Sequence, residues 1–168
     1  CLGTDAPKSA SYLAKKLHCI SVPEKAAEIT SNKIKLKSLF HKLKIATPKY
    51  KVAKKYSDIE LFLKNVKFPV IIKPDDSRGS RGVNILWDRK KIKKFFHLAK
   101  NFSSTKTVLI EEFIDGKQIS SESIIYKNKV YNIGFSDRNY ELISPDRSLV
   151  IENGGDLPTS ISDTVKNR

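Results

Sequence analysis

Residues 73–83 read Lys-Pro-Asp-Asp-Ser-Arg-Gly-Ser-Arg-Gly-Val. An apolar run, Phe68 to Ile72, leads into this stretch, and a second, Val83 to Trp87, follows it. The order predicts a strand, a tight loop and a returning strand, because Gly79 and Gly82 admit backbone conformations closed to other residues. Successive backbone N–H groups in such a turn form a concave anion site. Ser77 and Ser80 add hydroxyl donors, and Lys73, Arg78 and Arg81 add positive charge. The loop is therefore chemically suited to cover a polyphosphate. Taken alone, Gly-Ser-Arg-Gly also reads as an ordinary hairpin connector. It is not a Walker A loop, which places a lysine after its second glycine and continues into a helix, and no G-x-G-x-x-G occurs.

Working outward, residues 8–17 read as a helix with Tyr12, Leu13 and Leu17 on one stripe. An extended link over 18–22 leads to Pro23, which opens a helix with acids in its first turn. Ser31 or Asn32 can cap the next helix, where Leu36, Leu39, Phe40 and Leu43 recur with helical spacing until Thr47-Pro48. Tyr50 to Lys54 reads as a strand. Ser57 or Asp58 caps a helix with Ile59, Phe62, Leu63 and Val66 facing inward. Beyond the loop, Ile92, Phe95, Phe96 and Ala99 mark a helix, and Thr107 to Ile114 is a buried strand. Gln118–Tyr126 and Val130–Asp137 pair as a hairpin across 127–129, and 148–152 forms a last strand. This order is α+β with antiparallel pairing, not a repeating βαβ wind.

The 168 residues are 39% hydrophobic and 30% charged, a globular composition large enough for a real core. No apolar run reaches the length needed to cross a bilayer. The chain starts without methionine and contains none, which reads as an excised fragment. Residues 160–168 read as an amphiphilic stretch cut mid-element. Cys1 and Cys19 make no disulfide scaffold, and with His18, His41 and His97 they match no zinc spacing. Reduced thiols in a cytoplasmic protein are the expectation. Lys and Arg outnumber Asp and Glu by 32 to 18, a net charge of +14. Such a balance raises nucleic acid as a partner. Lysine predominates over arginine, however, and no aromatic residues interleave with it, so lysines spread over solvated helix faces are the expected reading. Lys33, Lys35, Lys37 and Lys42 belong to that set.

Two further signals carry chemistry. Val108-Leu-Ile-Glu-Glu-Phe-Ile-Asp-Gly116 is an apolar strand ending in two carboxylates and a glycine turn, unless it is an edge strand with exposed acids. Thr30-Ser-Asn-Lys33 places a lysine at a helix start, where most lysines are merely solvated. The order of all these segments is more specific than any one. Thr30-x-x-Lys33, Ile45-Ala-Thr-Pro48, Phe68-Pro-Val-Ile-Ile-Lys73-Pro74, the Ser/Gly loop, Glu111-Glu112-Phe113-Ile114-x-Gly116 and Ile119-Ser-Ser-Glu122 together resemble the ATP-grasp superfamily, in its carbamoyl-phosphate-synthetase-like and biotin-carboxylase-like branch. The resemblance runs from about residue 20 to 158. It implies an incomplete ATP-grasp domain over 23–168, with 1–22 the tail of a small α/β domain before it.

The resemblance implies roles residue by residue. Lys33 would touch nucleotide phosphate, and Lys73 the α and β phosphates. The loop from Asp76 to Val83, with Ser77, Arg78, Gly79, Ser80, Arg81 and Gly82, would close over the triphosphate. Glu111, Glu112 and Ile114, with Phe113 between them, would form the hinge, where Glu112 and Ile114 would contact adenine through backbone groups. Gln118 stands where the family usually has a ribose-binding glutamate, with Glu122 near the same edge. Arg138, after the hairpin, would reach a substrate or phosphate oxygen as the catalytic candidate. The cofactors implied are ATP and Mg2+, with no metal ligands in this chain and those of the family expected beyond Arg168. Ile151-Glu152-Asn153 resembles the family's substrate-side strand rather than its metal pair. The implied activity is ligation of a small-molecule carboxylate to an amine or thiol through an acyl phosphate, and a homodimer is compatible with it. The rival readings are a non-catalytic nucleotide-binding module and a basic nucleic-acid-binding domain.

Overall fold

A computed structural model describes residues 5–144 and 149–166. The chain forms two compact units, the first ending at Phe113 and the second beginning at Ile114. In the first unit the elements are α1 (Pro7–Lys16), α2 (Glu24–Thr30), α3 (Lys33–Lys42), β1 (Tyr50–Ala53), α4 (Tyr56–Phe62), β2 (Val70–Pro74), β3 (Asn84–Leu86), α5 (Ile92–Phe102) and β4 (Val108–Glu112). The second unit holds β5 (Gln118–Tyr126), β6 (Lys129–Asn139), β7 (Gly154–Asp156) and α6 (Asp163–Lys166). The mixed α and β content with antiparallel pairing agrees with the sequence reading.

The first unit is a four-stranded antiparallel sheet in the order β1-β4-β2-β3. Side chains alternate across a strand, so register decides what shares a face. Val70, Ile72, Val108, Ile110 and Leu86 point to one face, where Ile59, Phe62, Ile92, Phe96 and Ala99 of α4 and α5 close the core. Each such apolar side chain, once buried, contributes about 1.5–3 kcal/mol. The opposite face takes the alternate residues. Ile71 stands opposite Glu111, Lys73 opposite Leu109, and Tyr50 opposite Glu111 on its other side.

Local starts and stops differ in part from expectation. Asn32 rather than Ser31 caps α3: its Oδ1 accepts from the N–H groups of Ile34 and Lys35, each at 3.0 Å. Neither Ser57 nor Asp58 is the cap of α4. Lys55 holds that position, and Asp58 reaches back from the first turn to accept from the N–H of Lys54 at 3.0 Å and of Lys55 at 3.1 Å. The α1 stripe does not pack as an amphipathic pattern would suggest. Tyr12, Leu13 and Leu17 are all exposed, while buried Ser11 donates its hydroxyl to the Val22 carbonyl at 2.6 Å.

In the second unit, β5 and β6 join through Lys127 and Asn128, whose φ values are 48° and 61°. Two residues with positive φ make a hairpin turn that matches strand twist. The turn is one residue tighter than expected, so β6 begins at Lys129. The expected strand over 148–152 is not where the third strand forms. Ser148 lies outside the described residues, and the strand β7 pairs later, with Asp156 opposite Asp137. Residue 153 joins β6 through one backbone bond, its N–H to the Asn139 carbonyl at 3.0 Å, and side chains add the Glu152–Arg138 pair and a bond from Asn153 to Glu141 at 3.1 Å.

Candidate functional site

The face of the first sheet opposite its core carries a charged cluster. Lys73 at the end of β2 and Glu111 near the end of β4 lie on neighbouring strands, and Lys73 Nζ is 2.8 Å from Glu111 Oε1. That contact lies off the hydrogen-bonding line, so Oε1 has a compensating charge but no aligned donor. Lys37, from the middle of α3, approaches the other oxygen, Oε2, at 3.3 Å. Lys37 Nζ also donates to Thr47 Oγ1 at 2.8 Å and lies 4.9 Å from the Tyr50 ring centre. The Glu111 side chain is 4% exposed, Lys37 9% and Lys73 20%. One carboxylate thus holds two cations almost out of water. Burial pulls the Lys37 ammonium below the usual lysine value, with Glu111 opposing the shift.

Lys33 stands one helical turn before Lys37. Its Nζ donates to the Ser77 carbonyl at 2.6 Å, and its backbone N–H to the Asp75 carbonyl at 2.8 Å. Burial and then the charge of Lys73 pull its ammonium down, so the two lysines are near enough to repel. A dianionic or polyanionic group is what relieves such crowding.

The base of the loop is held by Asp75, which is buried. Its carboxylate accepts from Ser103 Oγ at 2.8 Å, Thr105 Oγ1 at 2.9 Å and Asn32 Nδ2 at 3.0 Å. Burial pushes the neighbouring Asp76 up, but hydrogen bonds from Ser104 outweigh it and hold the carboxyl below its usual value. Above this anchored base the loop turns twice. The Arg81 N–H bonds the Arg78 carbonyl at 3.3 Å across Gly79 and Ser80, at φ 60° and 54°. The Val83 N–H then bonds the Ser80 carbonyl at 3.0 Å. Gly82, at φ 75°, passes so close to Phe102 and Pro74 that a Cβ there would lie 2.9 Å from each. Ser77 Oγ donates to the Arg81 carbonyl at 2.7 Å, and Arg78 donates to Ser31 Oγ at 3.1 Å. The loop side chains therefore bond within the first unit, and the guanidinium of Arg78 ties loop to α2.

Of the residues singled out in the sequence, Lys33, Lys73, Ser77, Arg78, Gly79, Ser80, Arg81, Gly82, Val83 and Glu111 all belong to this one neighbourhood. Glu112 instead brackets Lys49, accepting from its N–H at 2.7 Å and donating its own N–H to the Lys49 carbonyl at 3.0 Å. Phe113 stacks at a tilt on Trp87, ring centres 6.0 Å apart. Ile114 is exposed and begins the second unit. Gln118, Glu122 and Arg138 lie in that second unit and are exposed. Gln118 stands directly opposite Arg138, whose guanidinium is raised above its usual value by the pairing with Glu152. Lys37 and Asp75 were missed as site residues. The available signal for Lys37 was its position one helical turn after Lys33. Among the described residues no group of three or more His, Cys, Asp or Glu is placed to hold a metal ion.

A family model described as phosphoribosylglycinamide synthetase, ATP-grasp (A) domain, matches residues 31–155. The chain belongs to this ATP-grasp domain family. A carbamoyl-phosphate synthase of Methanobrevibacter smithii is 30% identical over 110 residues, covering 66% of this chain and 28% of that protein. The VanG D-Ala:D-Ser ligase of Enterococcus faecalis superposes with a TM-score of 0.82 at 14% identity, over 97% of this chain and 49% of that one. The biotin carboxylase domain of the Hydrogenobacter thermophilus 2-oxoglutarate carboxylase, solved with MgADP and bicarbonate, has a TM-score of 0.67 at 18% identity over 77% of this chain and 31% of that one. The chain thus spans less than half the length of these proteins, and its fold is part of the ATP-grasp fold. The family is one of ATP-dependent ligases acting on small molecules, as the motif order implied. Among the described residues no helix is long and apolar enough to cross a membrane.

Proposed function

We propose that this chain carries the nucleotide-binding face of a carbamoyl-phosphate-synthetase-like ligase, which joins a carboxylate to an amine or thiol through an acyl phosphate. One observation carries the reading: Lys33 and Lys73, near enough to repel, meet at the base of a glycine loop anchored by Asp75, and Lys33 bonds that loop through the Ser77 carbonyl. ATP fits this donor set. Lys73 takes the α and β phosphates, Lys33 a phosphate beside it, and the backbone of 77–83 covers the chain of phosphates. Within the hinge of Glu111, Glu112, Phe113 and Ile114, Glu112 and Ile114 contact adenine through backbone groups, Gln118 binds ribose with Glu122 near the same edge, and Arg138 is the catalytic candidate. Magnesium, which would neutralise charge developing on the transferred phosphoryl group, is held in this reading by residues other than those described. Positioning and electrostatics supply most of the rate. The same reading assigns 1–22 to a preceding α/β domain and 23–168 to the ATP-grasp domain. It places the protein in the cytoplasm, with a homodimer compatible.

The test is a thermal-shift titration with Mg-ADP and Mg-ATP on this chain and on Lys73→Ala. Ligand at one hundred times its Kd stabilises by about 2.7 kcal/mol, a shift of roughly 5 to 11 °C at this length. A shift present in the wild type and lost in Lys73→Ala is expected. No shift in the wild type, with ligand at millimolar concentration, overturns the reading for this chain.

A further inference from the structure

Two cations share Glu111, but only Lys73 lies at the foot of the phosphate loop. Lys37 comes from the middle of α3, bonds Thr47 and rests on the Tyr50 ring. If a nucleotide draws Lys73 onto its phosphates, Glu111 loses a neighbour at 2.8 Å while remaining 4% exposed. A buried carboxylate stripped of its partner is strongly destabilised. Lys37 is the group already placed to prevent that. We propose that Lys37 is a positioning residue that retains the Glu111 charge while Lys73 is handed from Glu111 to the nucleotide. This rests on the nucleotide reading above.

The geometry suits a handover rather than a static bridge. Lys37 is fixed by two further contacts and has little freedom to leave. Lys73 is the more exposed of the two lysines, 20% against 9%, and stands at the foot of the loop. The more exposed cation is the one that moves. The other titratable or charged groups facing Glu111 are Tyr50, directly opposite on β1, and Lys33, whose charge feels Glu111 from the start of α3. Among the described residues neither ion-pairs with it, which leaves Lys37 when Lys73 departs.

The experiment is calorimetric titration of Mg-ADP into wild type, K37M, K37R, E111Q and K37M/E111Q, in buffers of different ionisation enthalpy. K37M keeps the aliphatic stem that packs on Tyr50. The expected result is about tenfold or weaker affinity in K37M, from the stranded carboxylate. Nucleotide binding to K37M should also take up a proton that wild type does not, since neutralising Glu111 becomes the cheaper state. K37R should bind like wild type, and E111Q in the K37M background should restore affinity and abolish proton uptake. A merely structural role would produce neither the proton signal nor the rescue. K37Q replaces K37M should the methionine variant fail to fold. If wild type binds and K37M or K37Q binds equally well without proton uptake, the Lys37 assignment falls and the nucleotide reading stands. If wild type itself does not bind, both fall.

Discussion

The four-stranded sheet of the first unit and the three-stranded sheet of the second are both antiparallel, and each contains a turn with two consecutive positive-φ residues. Their burial differs sharply. In the first, Val70, Ile72, Val108, Leu109 and Ile110 are completely buried. In the second, no described residue is buried, and Ile124, Ile125, Val130, Tyr131 and Ile133 are all exposed. The strands of both are rich in β-branched and aromatic residues, so strand propensity does not separate them. Cover does. Helices α4 and α5 lie on one face of the first sheet, and among the described residues no helix of the second unit makes a comparable contact with β5 or β6. A covered sheet can also hold charges in a dry environment on its far face, where a carboxylate and an ammonium interact much more strongly than in water. The charged cluster of Lys37, Glu111 and Lys73 sits where that cover exists.

The largest expected effects test this difference directly. Phe96→Ala, in the core beneath β2, should cost about 3–5 kcal/mol in urea unfolding, from lost burial and a residual cavity. Ile133→Ala, at an exposed strand position, should change stability by under about 0.5 kcal/mol. Comparable losses would mean that the second sheet is covered after all, and the contrast would fail.

The loop offers a finer contrast of intermediate size. Gly82→Ala forces a side chain both into the left-handed region and against Phe102 and Pro74, which should cost about 2–4 kcal/mol. Gly79→Ala meets the same backbone restriction but open space, and should cost about 1–2 kcal/mol. Equal losses in chemical denaturation would show that backbone strain alone governs this turn.

The smallest effects concern partly exposed acids, one in each unit. Backbone N–H groups of Lys55 and Lys54 hold the Asp58 carboxyl below its usual value, and hydrogen bonds from Ser160 and Thr159 do the same for Asp137. A carboxyl depressed in the folded state binds fewer protons than the unfolded chain does. Its stabilising contribution is therefore complete above the unfolded pKa, near pH 4, and is lost as pH falls through the folded pKa. Asp58→Asn and Asp137→Asn should each flatten the fall in stability below about pH 4. A slope unchanged in one variant would remove that acid from the linkage and show which unit responds to acid first.

Much of this was legible in the residues. The two glycines after Lys73 required a reversal between strands, because only they tolerate the φ values at 79 and 82 without strain. The spacing of Ile59 and Phe62 named the inward face of α4, although the helix stops at Phe62, short of Leu63 and Val66, and the motif order from Lys33 to Glu122 named the family. The third strand of the second unit was misplaced, since pairing depends on side-chain ties such as Arg138 to Glu152 that local pattern does not encode. The α1 stripe misled for a related reason: periodicity shows which face could pack, not what is there to pack against it.

What the sequence determined by itself is the local chemistry: where the chain must turn, which faces are apolar, and which lysine ends the strand before the loop. What only the tertiary structure decided is the electrostatic surrounding of those groups. Lys37 looks like any other member of a lysine-rich helix. It becomes a buried partner of Glu111 only because β4, far along the chain, brings that carboxylate beneath α3. Dielectric surroundings are set by everything packed nearby, and that is a property of the assembled fold, not of any stretch of sequence.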